Sequence, residues 1–118
     1  MNKALILIFL FPFALFSQIK NVTLLDQWSD TSLITNSSSV RYSGCFSFVY
    51  EASEYAVIGS TEGAHIFKIT SENQLHFIDK IEGSFVSSQA ITREYGVHNS
   101  YLYAIGDEGP ASLQIIDL

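Results

Sequence analysis

Cysteine occurs once in these 118 residues, at Cys45, and proline only twice. A single cysteine excludes an internal disulfide, and in "SGCFSFVY" its expected role is that of a small buried hydrophobe. Basic side chains are scarce, six Lys and Arg against twelve Asp and Glu, for a formal net charge of -6. An acidic surface repels phosphate backbones and nothing basic clusters, which excludes nucleic acid as a partner. The chain has no "GxSxG", and His65, His76 and His98 show no metal-ligand spacing. No catalytic residue and no metal ligand can therefore be assigned. Beyond the first residues no stretch carries a helical period. The one long apolar run, residues 4 to 16, falls short of the ~20 needed to span a bilayer and is interrupted by Pro12.

That run has its own meaning. "MNKALILIFLFPFALFSQ" places a basic residue, Lys3, before the apolar stretch and a small residue, Ser17, after it, the pattern of a secretory signal peptide over residues 1–17. The expectation is export, with Gln18 as the new N-terminus, a secreted or cell-surface location and no stable membrane span in the remaining chain. No cysteine follows the run, so a lipid-anchored lipoprotein is disfavoured. Residues 18–118 keep five basic side chains against twelve acidic ones, a net charge near minus seven.

What the chain has in quantity is repetition. "EYAVIGSTEGAHIFKIT" at 54–70 is echoed by "SYLYAIGDEGPASLQIIDL" at 100–118, placing Tyr55 on Tyr101, Glu62 on Glu108 and Gly63 on Gly109, and, after one inserted residue, Ile66 on Leu113. "VTLLDQW" at 22–28 is echoed by "LHFIDKI" at 75–81, with Asp26 on Asp79. Each copy is short, rich in Val, Ile, Tyr and Phe, roughly alternating, and bounded by turn formers, which reads as strand after strand. Strands are expected near 21–28, 46–51, 55–60, 65–70, 75–81, 89–93, 101–106 and 112–118. Four strands in a unit of 46 residues, the offset between Tyr55 and Tyr101, match one propeller blade. The predicted fold is all-β, a β-propeller fragment of four-stranded antiparallel blades. It comprises one complete blade, one partial blade and one leading closing strand at 21–28. Two blades cannot close a ring, and "LQIIDL" stops inside a strand. Residues 18–118 are therefore expected to be the N-terminal part of a longer propeller domain, or a piece that self-assembles to cover its edges.

"NVTLLDQW", "EYAVIGSTEGAHIFKIT" and "YLYAIGDEGPASLQIIDL" together resemble the opening of the choice-of-anchor B proteins, secreted bacterial β-propellers built from LVIVD-type repeats. The resemblance covers essentially all of residues 18–118. It implies export and a scaffold, and it brings no catalytic residues with it.

The two "EG" turns are the most suggestive local feature. In a meander the loops after the second and fourth strands leave from one end of the sheet, so Glu62, His65, Asp107 and Glu108 are expected to share a face with the loop at 29–45. A row of carboxylates there could hold a hard cation such as calcium, although acids beside turn glycines ordinarily bond turn amides, and no cofactor is the leading expectation. The expected function is a non-catalytic secreted scaffold that binds protein or carbohydrate at the cell surface or outside the cell. The rival is a fragment of a propeller hydrolase or lyase with its active residues in further blades.

Overall fold

The computed structural model describes residues 22–118. The segment expected to direct export, residues 1–17, lies outside the described residues. Among those described there is no helix, and so none long and apolar enough to cross a membrane. Seven strands form two antiparallel meanders. The first sheet is β1 (Tyr42–Tyr50), β2 (Ser53–Ser60), β3 (Gly63–Ile69) and β4 (Leu75–Glu82), and the second is β5 (Arg93–His98), β6 (Tyr101–Gly106) and β7 (Gln114–Asp117). Alternation explains the pairing. In β2, Tyr55 and Val57 point to one face and Ala56 and Ile58 to the other, and β3 sets Ile66 opposite Val57 and Phe67 opposite Ala56.

The core lies between the sheets. Val57, Ala64 and Ile66 of the first sheet and Leu102 of the second form a buried cluster, flanked by Phe46, Phe48, Ile81, Tyr95, Val97, Ile116 and Leu118. Leu102 and Val57 are almost wholly inaccessible, at 0% and 1% exposure. Burial of that extent stabilises by about 2 kcal/mol for each side chain. The leading strands β1 and β5 run against each other across the interface. There Gly44 allows the approach, because a Cβ would sit 2.5 Å from the Arg93 carbonyl oxygen.

The registers show how the two copies of the repeat relate. β2 pairs Ala56 with Phe67, and β6 pairs Leu102 with Ile116. Ala56 thus corresponds to Leu102, Phe67 to Ile116, and Ile66 to Ile115 rather than to the Leu113 expected from the sequence. The reason is the connection: Thr61 and Glu62 alone join β2 to β3, whereas residues 107–113 join β6 to β7. The correction is by two residues, so each side chain keeps its face. It follows that the sheets stack head to tail. The Val57 and Ile66 face of the first sheet meets the Leu102 and Ile116 face of the second, and these two faces are not repeat equivalents.

Three local expectations are corrected. Residues 22–28 form no strand. This leading segment lies over the first sheet's outer face, where no strand backbone is free to pair, and is held by side chains: Asp26 accepts the Leu75 amide at 2.7 Å, and Trp28 covers Phe67. The strand expected at 89–93 begins instead at Arg93, because the Ala90 amide donates to the Ser87 carbonyl and the Ile91 amide to that of Gln89, curling the chain locally. Cys45 is exposed, since it pairs with Ile58 of β2 and shares that residue's side of the sheet, away from the core.

Candidate functional site

One end of the paired sheets gathers the β2–β3 turn, the loop before β1, the 83–92 connection and the β6–β7 loop. The sequence "GSTEG" builds the turn. Ser60 is fully buried, and its Oγ accepts the Glu62 amide at 3.1 Å and the Gly63 amide at 3.2 Å, as serines do in tight turns. Gly63 has φ +153°, and a Cβ there would run into the Ile81 carbonyl. Gly109, at φ +60°, would drive a Cβ to 2.6 Å from the Phe85 ring. Both glycines are required by their positions.

Two side chains hold the neighbouring loops onto this turn. Thr61 donates from Oγ1 to the Ile34 carbonyl at 2.7 Å, and its amide donates to Arg41. Arg93, only 5% exposed, donates from Nε to the Ser60 carbonyl at 2.6 Å and from Nη2 to those of Phe85 at 2.9 Å and Thr61 at 3.4 Å. Among the described residues no carboxylate pairs with this guanidinium. Carbonyl dipoles from both sides of the junction carry its charge instead.

The four residues singled out in the sequence occupy three separate settings. Glu62 sits on the turn, with Oε2 accepting Lys80 Nζ at 2.8 Å and Oε1 accepting the Ile34 amide at 3.2 Å. The bond from Lys80 holds its carboxyl below the usual range. Glu108 accepts the Thr92 amide at 3.1 Å, and Asp107 is exposed while its amide donates to the Thr92 carbonyl. His65 is buried at 2% exposure beneath Trp28, ring centroids 4.8 Å apart. The loops do share one end of the sheets, as expected. Among the described residues, however, no three His, Cys, Asp or Glu side chains gather as a metal ion requires.

His65 and Ser60 invite a nucleophilic reading, with Nε2 and Oγ 2.8 Å apart. The geometry argues otherwise. Ser60 Oγ accepts both turn amides and also lies 3.4 Å from the Gly63 carbonyl, so its bonding capacity is spent within the turn. Burial, and secondarily Lys80, push the imidazole pKa down, against smaller opposing effects of Asp30 and Glu62. A serine with no exposed surface cannot reach a substrate. The pair locks a turn.

Ser60, Thr61, Arg93 and Trp28 organise this end, and none was singled out as a site residue from the sequence. The Ser and Thr before the "EG" turn were a readable signal. Arg93 was not, because its partners are carbonyls, which every residue has. Comparison with protein-family models, with curated proteins and with solved structures found no match.

Proposed function

We propose that the two sheets are successive blades of a secreted β-propeller of the LVIVD-repeat, choice-of-anchor B type. The protein is a non-catalytic scaffold whose loop end binds a protein or carbohydrate at the cell surface or outside the cell. The observation that carries this reading is the head-to-tail stacking of two sheets with one repeated sequence, their leading strands side by side. That relation between neighbours can propagate around a ring. The loop end supports the binding role, because Arg93, Thr61 and Glu62 fasten three connections from different parts of the chain into one surface. Loops on a rigid scaffold are the usual carriers of recognition.

The test is equilibrium binding of the secreted chain to arrayed glycans and to surface proteins of the producing cell, with turnover of each ligand followed in parallel and calcium present or chelated. A saturable ligand that is not consumed, lost on substituting exposed loop residues such as Asp107, and unaffected by chelation is the expected result. Turnover abolished by a loop-end substitution would establish the hydrolase or lyase reading instead. Loss of binding on chelation would mean instead that the ligand is held through a bound calcium ion.

A further inference from the structure

We propose that residues 28–32 form a pH-sensitive latch beside the β2–β3 turn, closed while His65 is neutral and released when the buried imidazole takes a proton. The latch carries Trp28, whose ring lies on His65 with centroids 4.8 Å apart and reaches Phe67 at 5.0 Å and Tyr42 at 5.7 Å. Beneath that ring His65 is only 2% exposed. The far end of the latch is fixed. Leu33 is buried, the Ile34 carbonyl accepts Thr61 Oγ1 at 2.7 Å, and the Ile34 amide donates to Glu62 Oε1 at 3.2 Å.

The closed site is a poor one for an imidazolium. Ser60 Oγ, the ring's hydrogen-bond partner among the described residues, lies 2.8 Å from Nε2 and already accepts the Glu62 and Gly63 amides. The charged groups around the ring come from three elements: Lys80 on β4, Asp30 on the latch and Glu62 on the turn. Lys80 opposes a second positive charge, and the two carboxylates that favour one are engaged elsewhere. Asp30 Oδ1 accepts the Ser32 amide at 2.8 Å and the Ser32 hydroxyl at 2.6 Å, and Glu62 Oε2 accepts Lys80 Nζ at 2.8 Å. Among the described residues neither carboxylate pairs with His65. A charge buried without a counter-ion is costly, and burial is accordingly the largest influence keeping this ring neutral, ahead of Lys80.

The latch is the part that can respond. His65 lies inside β3, paired with Ile58 of β2 on one side and with Lys80 of β4 on the other, so displacing it would break two ladders. Residues 28–32 belong to no ladder, and Ser29, Thr31 and Ser32 are exposed. Apart from the Trp28 ring, the latch is held to the sheet by the Tyr42 hydroxyl, which accepts the Asp30 amide at 2.6 Å and donates to the Asp30 carbonyl at 3.2 Å. Lifting Trp28 admits water to the imidazole while the strands stay paired, a local rather than a global opening. The open latch returns His65 to its ordinary value of 6.5, and the closed latch holds it below that. The ratio of open to closed latch is therefore constant above pH 6.5, and it rises by up to tenfold for each pH unit below, until the closed-state value is reached. Every contact involved belongs to the first sheet and its own loop. The latch depends neither on the ligand of the loop end nor on what packs against the second sheet.

Trp28 is the one tryptophan of the chain, so its fluorescence reports the latch alone. The experiment follows its emission maximum and its quenching by acrylamide in the full-length chain from pH 8 to about 5, with far-ultraviolet circular dichroism as the measure of the sheets. The expected result is a red-shifted, more readily quenched emission developing below pH 6.5 at constant circular dichroism, absent in His65→Gln and retained in His76→Gln. Asp30→Asn, which removes a charge favouring the imidazolium, moves the midpoint to lower pH. Proton NMR of the parent chain gives a check that needs no substitution: the His65 ring and the Trp28 indole resonances titrate with one midpoint. Emission unchanged to pH 5, a change that only accompanies loss of circular dichroism, a change kept in His65→Gln, or separate midpoints for the two resonances would each overturn the proposal.

Discussion

His65 shows at the scale of one residue how burial decides chemistry. Its folded-state pKa is lowered, so the folded chain binds fewer protons than the unfolded one just below the ordinary 6.5. Stability from this group is fully present above pH 6.5 and is lost as pH falls from there through the lowered folded value. The melting temperature should decline as pH drops from 7 towards 5, and His65→Gln should flatten that decline. An equal slope in the variant would place the titrating group elsewhere. Arg93 gives a second prediction. Arg93→Ala leaves three carbonyls at the junction without their donor and should destabilise by about 3 kcal/mol. Arg93→Lys should recover only part of this, since an ammonium cannot reproduce the planar fork. Chemical denaturation measures both. Neither role was legible in the sequence, where a lone His beside a turn and the Arg of "TREYG" carry no mark of burial. The need for glycine at 63 and 109 was legible from the two "EG" turns, although the backbone differs between them, φ +153° at one and +60° at the other.

At the scale of elements, strands were legible wherever the alternation was clean. β2, β3, β4 and β6 lie where Tyr55, Val57, Ile66, Phe77 and Tyr101 suggested, to within two or three residues. β5 was misplaced because "QAIT" has the apolar character of a strand, whereas the turn at Ser87 curls it and the ladder starts at Arg93. The leading segment was misread for a different reason. Its pattern is that of a strand, but a strand also needs a neighbour, and among the described residues it has none. The β1–β2 hairpin carries a feature that sequence rules would not choose. Its turn residues Glu51 and Ala52 both have positive φ, +45° and +58°. Such primed turns favour Asn-Gly, and side chains with a Cβ are disfavoured there. Glu51→Asn with Ala52→Gly should therefore stabilise the chain by about 1 kcal/mol, read as a higher denaturation midpoint with an unchanged slope. A lower midpoint would mean that the turn is held in another conformation.

At the scale of the whole molecule, two sheets of one repeat share a core through faces that are not equivalent, leaving one face of each turned outward. The repeat was legible in the sequence and so was the all-β class. The order of the faces was not, because it depends on which side of each strand its partner covers, and the alternation permits either. Leu102 and Val57 are the residues through which the two sheets meet. The most direct test of this packing is a double-mutant cycle on Val57→Ala and Leu102→Ala, measured by denaturant unfolding. Each change should destabilise by about 2 kcal/mol or more, as deletions from a packed core do. If the two side chains share one core, their effects should be coupled by about 0.5 kcal/mol or more. Strict additivity would mean that the sheets unfold as independent units and would contradict the head-to-tail core.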